Sequence, residues 1–261
     1  VEMERYAPKA GVRLDAAWTA QRGLAIEDVR AADVAWYARE LERTRAAMTV
    51  AQHLSALRRW YDWLVERQVL RDNPARSTRA SRPQVATGST PVLTPEEVAA
   101  LYAGFGEGVV ERRDRALISL MLYGFLRVGS VLSLRRADLL LDGRASLRVR
   151  EKGGSVRALP LHAQAAADLA DYLALAHFDD HQPLFVGWPA GGTQRGSRPL
   201  RREQVYAMVR RRLRRAGIAR IAGCHAFRAT GITRFLTQGG RIETAAHLAG
   251  HASLRTTQLY D

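Results

Sequence analysis

The last forty residues of the chain carry the side chains best suited to chemistry. His225 and Arg228 are three residues apart, so they share one face of any helix that contains both. His251 follows Gly250, and Tyr260 comes nine residues later. Taken singly, each is more often a packed or capping residue. Together they offer groups that can transfer a proton, hold an anion and act as a nucleophile.

Three motifs in this segment resemble those of the tyrosine recombinase (phage integrase) family. They are HxxR, LxGH and TTxxY, written here as His225-Ala226-Phe227-Arg228, Leu248-Ala249-Gly250-His251 and Thr256-Thr257-Gln258-Leu259-Tyr260. The interval from Arg228 to His251 matches the family as well. Such a resemblance is specific, because several positions and intervals agree at once.

An earlier box resembles the family's TGLRxxE motif with one important departure. It reads Gly124-Phe125-Leu126-Arg127-Val128-Gly129-Ser130, so that Arg127 fills the arginine position and Ser130 replaces the acid. A hydroxyl therefore stands where the family's motif has a carboxylate.

The resemblance implies a nucleophile and a clamp. Tyr260 matches the tyrosine that attacks a DNA phosphodiester and forms a 3′-phosphotyrosyl link. Arg127 and Arg228 match the two arginines that hold the nonbridging oxygens, a task suited to a planar, permanently charged guanidinium.

The same resemblance assigns proton transfer and phosphate binding to a lysine and two histidines. Lys152 matches the hairpin lysine that protonates the 5′ leaving oxygen. His225 would accept or relay the proton of the nucleophile and His251 would bind the scissile phosphate, or the two would exchange roles. The only lysines are Lys9 and Lys152. Arginine releases a proton too reluctantly for this role, which explains a lysine within so arginine-rich a chain.

No metal or nucleotide is expected to take part. The sequence contains no HExxH motif and no cluster of Asp and Glu. Gly153-Gly154 beside Lys152 lacks the GxxxxGK order of a phosphate-binding loop. We therefore expect DNA cleavage and religation that is independent of metal, ATP and other cofactors.

Net charge indicates a polyanionic partner. The chain carries a formal charge of +14 and has an isoelectric point near 10.9. Double-stranded DNA is the expected partner, because neutralised phosphates release counterions. Basic surfaces also occur in proteins that bind nothing. The resemblance implies a homotetramer on paired DNA sites and leaves a monomer off DNA open.

The elements that must position these residues indicate two domains, mainly α with a small β-hairpin. Residues 1–75 resemble the family's helical core-binding domain. Apolar spacing predicts a helix over 31–44 and a second from Thr49, a plausible N-cap, to a stop before Asp72-Asn73-Pro74. The polar face of the second helix offers Gln52, Ser55 and Arg59 to phosphates and base edges, or to solvent.

Residues 76–91 form a basic linker with little to bury. In the family such a linker lets the two domains close around duplex DNA, and Arg76, Arg79 and Arg82 would suit its backbone.

Residues 92–261 resemble the α+β catalytic domain. Thr94-Pro95 marks a helix start, and a helix over about 110–123 leads to a break that exposes Arg127. Alternating residues at 147–150 and 156–159 predict a hairpin with Lys152 at its tip. A basic helix over about 202–216 buries Val205, Met208, Val209 and Leu213 and carries surface arginines, which are Arg210, Arg211, Arg212, Arg214 and Arg215.

The ends of the chain and its apolar runs add further expectations. No apolar run is long enough to span a bilayer and no signal peptide is evident, so we expect a cytoplasmic, nucleoid-associated protein. The chain ends one residue after Tyr260, where family members commonly carry a tail that docks on a neighbouring protomer. We therefore expect truncation or an altered mode of assembly. The absence of Met at residue 1 favours truncation or trimming.

The leading hypothesis is a site-specific recombinase or integrase that serves a mobile element or the chromosome. A type IB topoisomerase uses a related site to relax supercoils. A noncatalytic DNA-binding protein of the same fold is a second alternative, and a hydrolase using Cys224 and His225 is a third. Recombination of paired sites, covalent trapping and thiol sensitivity distinguish these alternatives.

Overall fold

Two compact units make up the chain, Val1–Val85 and Ala86–Asp261. The computed structural model describes residues 18–79, 90–140, 145–150, 156–175, 177–189, 196–218, 223–251 and 253–260. Within these ranges the protein is mainly helical with one small antiparallel sheet, which confirms the predicted fold class. No helix in the same ranges is both long enough and apolar enough to cross a membrane.

The first unit is built on two helices, α1 (Ala31–Thr44) and α2 (Ala47–Glu66). Each presents an apolar stripe to a shared core, as their periodicity predicted. The α2 stripe is buried along its whole length, through Val50, Leu54, Leu57, Tyr61 and Leu64.

The predicted start of α2 was wrong. Thr49 lies within the first turn, and its backbone N–H donates to the carbonyl of Ala46 at 2.8 Å. Ala47 and Met48 are strong helix formers, so the helix extends back to the connection with α1.

The helix predicted to start at Thr94-Pro95 begins there. Thr94 caps α3 (Pro95–Ala103), and its hydroxyl accepts a hydrogen bond from the Glu97 backbone N–H at 3.2 Å. The Glu97 carboxylate accepts in return from the Thr94 backbone N–H at 2.8 Å. This reciprocal pair satisfies two N–H groups that the helix cannot bond internally.

The remaining elements are helices that precede and follow three consecutive strands of one sheet. In chain order they are α4 (Val109–Leu122), α5 (Val128–Leu132), β1 (Leu139–Leu140), β2 (Ser146–Arg150), β3 (Val156–Pro160), α6 (Ala163–Leu173), α7 (Arg202–Arg215), α8 (His225–Thr237), α9 (Ile242–Ala249) and α10 (Leu254–Gln258).

The sheet has the order β1-β2-β3, with Leu147 opposite Leu159 in the hairpin. The two hairpin strands confirm the predicted alternation. Lys152 and the predicted turn lie outside the described residues. The two-residue strand β1 and the helix α5 were not predicted.

Helix α8 packs tightly within this unit. A Cβ atom at Gly231 would lie 1.8 Å from the carbonyl oxygen of Leu122, so only glycine allows α8 to pack this closely on α4. The Thr230 hydroxyl accepts a hydrogen bond from the Leu93 backbone N–H at 2.8 Å. Helix α8, which carries His225 and Arg228, is therefore held both against α4 and against the segment that precedes α3.

The basic helix α7 corrects one prediction. Its four predicted core residues are buried, and Arg210, Arg211, Arg214 and Arg215 are exposed. Arg212, predicted on the surface, is 4% exposed and bonds the fully buried Asp114 at 2.8 Å. A buried carboxylate requires charged partners, and Arg212 is buried as a partner of Asp114. The sequence pattern of α7 alone does not reveal this pairing.

Candidate active site

A cleft of about 1070 Å³ opens in the second unit, lined in part by α5, the start of α8 and the end of α9. Four of the predicted catalytic residues line it, namely Arg127, His225, Arg228 and His251. Tyr260 contacts two of these four, His225 and His251. The structure thus brings together five of the six residues predicted from sequence, and Lys152 lies outside the described residues.

The hydroxyl of Tyr260 lies 3.1 Å from Nε2 of His225. The Tyr260 ring is parallel to the His251 ring within 8°, with 6.2 Å between centroids. The backbone carbonyl of Tyr260 accepts a hydrogen bond from the Thr233 hydroxyl of α8 at 3.2 Å. The tyrosine is therefore in contact at its backbone carbonyl, beside its ring and at its hydroxyl oxygen.

His225 is favoured in its neutral form. Its pKa is lowered from 6.5, first by desolvation of the ring and then by the positive charges of Arg228 and Arg127. A neutral imidazole can accept a proton at one ring nitrogen. At neutral pH Nε2 can accordingly accept the hydrogen bond, and the proton, of the tyrosine hydroxyl.

Arg228 is 2% exposed, unusual for an arginine that lines a cleft. Its guanidinium donates to the carbonyl of Phe125, before α5, and to the carbonyl of Ala249, the last residue of α9, at 2.8 Å. These two carbonyls orient the planar group, so its charge is presented to the cleft in a fixed direction.

Phe125 has a positive φ of 52°, a conformation that residues with a side chain rarely adopt. It occupies the position at which the motif TGLRxxE has glycine. The Phe125 ring is nonetheless buried and packs edge-to-face on Phe235, with 5.9 Å between centroids. The backbone conformation that serves Arg228 is therefore retained here by side-chain packing.

Gly250 ends α9 in the left-handed conformation, with φ 61° and ψ 48°. The chain turns there, and the next residue, His251, lines the cleft. Nδ1 of His251 lies 2.8 Å from the hydroxyl of Thr257 on α10. The LxGH and TTxxY motifs are thus in direct contact.

Arg127 is exposed at the start of α5, as the predicted helix break required. Ser130 also lines the cleft, and no Asp or Glu stands among the described residues that do so. The cleft instead gains three arginines that sequence reasoning did not assign to the site, Arg150, Arg157 and Arg202. It is a strongly cationic cleft.

Strand β3 supplies one of these arginines and a link across the cleft. Arg157 donates a hydrogen bond at 2.8 Å to the carbonyl of Leu248, near the end of α9. The alternation of β3 placed Arg157 on a strand, but only the folded chain shows that the strand lies beside the LxGH motif.

Cys224 is half-buried at the start of α8, and burial raises the pKa of its thiol. A raised thiol pKa lowers the thiolate fraction on which a cysteine nucleophile depends. This argues against the hydrolase hypothesis.

The DNA-contact residues predicted in the first unit lie at its surface. Gln52 and Arg59 are exposed on α2 and Ser55 is partly exposed, on the side opposite the buried stripe. Arg76 and Arg79 are exposed, and Arg82 falls outside the described residues. In the part of the chain that the structure describes, no group of three or more His, Cys, Asp or Glu residues could hold a metal.

A tyrosine hydroxyl within hydrogen-bonding distance of a histidine, beside an arginine-lined cleft in a mainly helical protein, fits the class of tyrosine recombinases. The model of the phage integrase family matches residues 91–261, and that of the phage integrase N-terminal SAM-like domain matches residues 11–68. The chain therefore belongs to the phage integrase family. Its function is site-specific DNA recombination.

Named relatives are recombinases of the same kind. The chain is 29% identical to the tyrosine recombinase XerC of Xylella fastidiosa (strain 9a5c), over 94% of this chain and 80% of that protein. It is 28% identical to the tyrosine recombinase XerD of Ralstonia nicotianae, over 95% of this chain and 79% of that protein.

A solved structure supports the fold. The site-specific recombinase XerH bound to its difH substrate, in a pre-cleavage complex, matches with a TM-score of 0.68 and 20% identity. The match covers 91% of this chain and 68% of that one. At this identity the likeness concerns the fold alone.

Proposed function

We propose that this recombinase cuts and rejoins DNA strands with Tyr260 as the nucleophile. The observation that carries the proposal is the 3.1 Å contact between the Tyr260 hydroxyl and a histidine whose neutral form is favoured. A hydroxyl is a weak nucleophile until a neighbouring base takes its proton.

The reaction is a transesterification at phosphorus. Tyr260 Oη forms a bond to the scissile phosphorus while the bond from phosphorus to the 5′ oxygen breaks. The tyrosine proton passes to His225, with His251 as the alternative acceptor. The products are a 3′-phosphotyrosyl strand and a strand with a free 5′ hydroxyl, and attack by a 5′ hydroxyl reverses the step.

Arg127 and Arg228 would hold the nonbridging oxygens as negative charge accumulates in the transition state. Arg228 suits this role because two backbone carbonyls hold its guanidinium before substrate arrives. Groups oriented in advance need not reorganise during the reaction. His251 would donate a hydrogen bond to the same phosphate.

Lys152 would protonate the departing 5′ oxygen. It lies in the sequence between Arg150, which lines the cleft, and strand β3. Lys152→Ala should slow cleavage of ordinary DNA, and a substrate with a better 5′ leaving group should restore much of the rate. A variant that stays equally slow on both substrates would rule out the general-acid role.

Double-stranded DNA is the proposed partner. The structural neighbour XerH is bound to its difH substrate, and this chain carries a net charge of +14. We propose a homotetramer on two paired sites, and reaction without metal or ATP, since arginines supply the positive charge. Cleavage should therefore proceed in EDTA without nucleotide. The expected location is the cytoplasm, on the nucleoid.

Covalent trapping tests the proposal. Nicked duplexes, selected for binding from a random-sequence pool, are incubated with the protein and boiled in denaturant. Wild type should give a protein band shifted by covalent DNA, and Tyr260→Phe should bind the same DNA without a shifted band. An adduct that persists in Tyr260→Phe would overturn the proposed nucleophile.

A further inference from the structure

The side chain of Thr257 links α10, the helix that ends just before Tyr260, to a second proposed catalytic residue. Thr257 lies on α10, three residues before Tyr260, and is fully buried. Its hydroxyl is 2.8 Å from Nδ1 of His251, which lies outside that helix, just after α9. Thr256, the preceding residue, is exposed.

This contact restricts what His251 can do. The two ring nitrogens of a histidine are chemically distinct, and a partner at one of them fixes the ring's orientation and the role of the other. With Nδ1 held by Thr257, Nε2 is the nitrogen that a phosphate in the cleft would meet. The hydroxyl can serve Nδ1 as donor or acceptor.

The position of the same helix also determines where Tyr260, two residues beyond its end, lies. The Tyr260 ring lies parallel to His251, and its hydroxyl reaches His225. Displacing α10 would therefore remove the nucleophile and release the His251 ring in a single movement.

We propose that Thr257 is a positioning residue that acts through His251. Docking of α10 would then place Tyr260 and His251 in their catalytic positions at the same time. The inference rests on the proposed role of Tyr260. It predicts that a protomer whose α10 is undocked lacks both groups, rather than the tyrosine alone.

Single-turnover cleavage at saturating DNA, together with DNA affinity and Tm, tests the inference. Thr257→Val keeps the shape and removes the hydroxyl, and we expect about tenfold slower cleavage, the effect of one lost hydrogen bond. DNA affinity should not change. Thr257→Ser keeps the hydroxyl and should stay close to the wild-type rate, as should the matched control Thr256→Val.

A double-mutant cycle separates positioning from packing. In a His251→Ala background, Thr257→Val should cause no further loss of rate, because its effect passes through the missing imidazole. An equal loss with and without the imidazole would overturn the inference. If Thr257→Val does not fold, Thr257→Ala takes its place in the cycle. Absence of any adduct from wild-type protein would instead contradict the proposed function.

Discussion

The protonation state of His225 gives the most direct residue-scale prediction. Its pKa lies below 6.5, so the neutral, proton-accepting form persists to lower pH than for an ordinary histidine. Cleavage should decline only as pH falls through this lowered pKa. Arg127→Gln removes one of the charges that lower it, so the decline should begin at higher pH, although the maximal rate also falls.

Single-turnover rates between about pH 5 and 9, each normalised to its maximum, measure this shift. Arg150→Gln is the matched control. Arg150 lines the same cleft but is not among the causes of the lowered pKa, so its profile should keep the wild-type midpoint. An Arg127→Gln profile that coincides with wild type, or moves to lower pH, would contradict the electrostatic explanation.

Phe125 combines an unfavourable backbone conformation with favourable packing. Removing the ring should cost about 3–5 kcal/mol of stability. Phe125→Ala keeps the strain of a positive φ, whereas Phe125→Gly relieves it. The glycine variant should therefore be the more stable of the two by about 1 kcal/mol.

Urea unfolding of both variants measures the difference in the free energy of unfolding. Phe227, buried within α8, is the control position, since alanine should be favoured there over glycine by about 1 kcal/mol. If alanine is favoured at both positions, backbone strain at Phe125 does not govern the stability of these variants.

At the scale of elements, a buried ionic cluster joins α4 to α7. Asp114 of α4 is fully buried and bonds Arg113 at 2.6 Å and Arg212 of α7 at 2.8 Å. Asp114→Asn leaves these guanidiniums without their shared counter-charge, and should lower the free energy of unfolding by about 3–5 kcal/mol. Thermal and denaturant unfolding measure the loss.

Asp171 provides the comparison. It bonds Arg115 at 2.5 Å, but its side chain is 49% exposed. Asp171→Asn should cost no more than about 1 kcal/mol, because solvent screens an exposed pair. Equal losses for the two variants would show that burial does not govern the strength of these pairs.

Periodicity predicted helices α1, α2, α4 and α7, because their apolar stripes are local. The cap of α3 was equally predictable, since Thr94, Pro95 and Glu97 act within one turn. The start of α2 was missed because helix propensity carried it past Thr49. Strand β1 has two residues, too few to form a pattern, and the burial of Arg212 depends on an aspartate about a hundred positions away.

The candidate site likewise contains residues that the sequence predicted and contacts that it did not. Motif resemblance predicted five residues that the fold brings together, because each motif is short and contiguous. Arg157, Arg202 and the contact between Thr257 and His251 depend on elements far apart in the sequence. No spacing rule connects them, so only the folded chain reveals them.

At the scale of the whole molecule, charge should dominate DNA binding. The logarithm of affinity should fall linearly with the logarithm of salt concentration, with a slope set by the number of neutralised phosphates. If the exposed face of α2 contacts the backbone, Arg59→Gln should reduce that slope by about one. Equilibrium binding across a salt series measures both effects.

Arg39 is the matched control for this surface. It is exposed on α1, outside the proposed face, and Arg39→Gln should leave the slope unchanged. A slope near zero for wild type would contradict a phosphate-dominated interface. Equal changes for Arg39→Gln and Arg59→Gln would remove the assignment of the α2 face.

Mapping the linked residue shows whether Tyr260 becomes covalently joined to DNA. The trapped adduct is digested with protease and nuclease, and the nucleotide-bearing peptide is sequenced by mass spectrometry. We predict a single modified residue, Tyr260, joined through a 3′ phosphate. A nucleotide on any other side chain, or a 5′ linkage, would contradict the account.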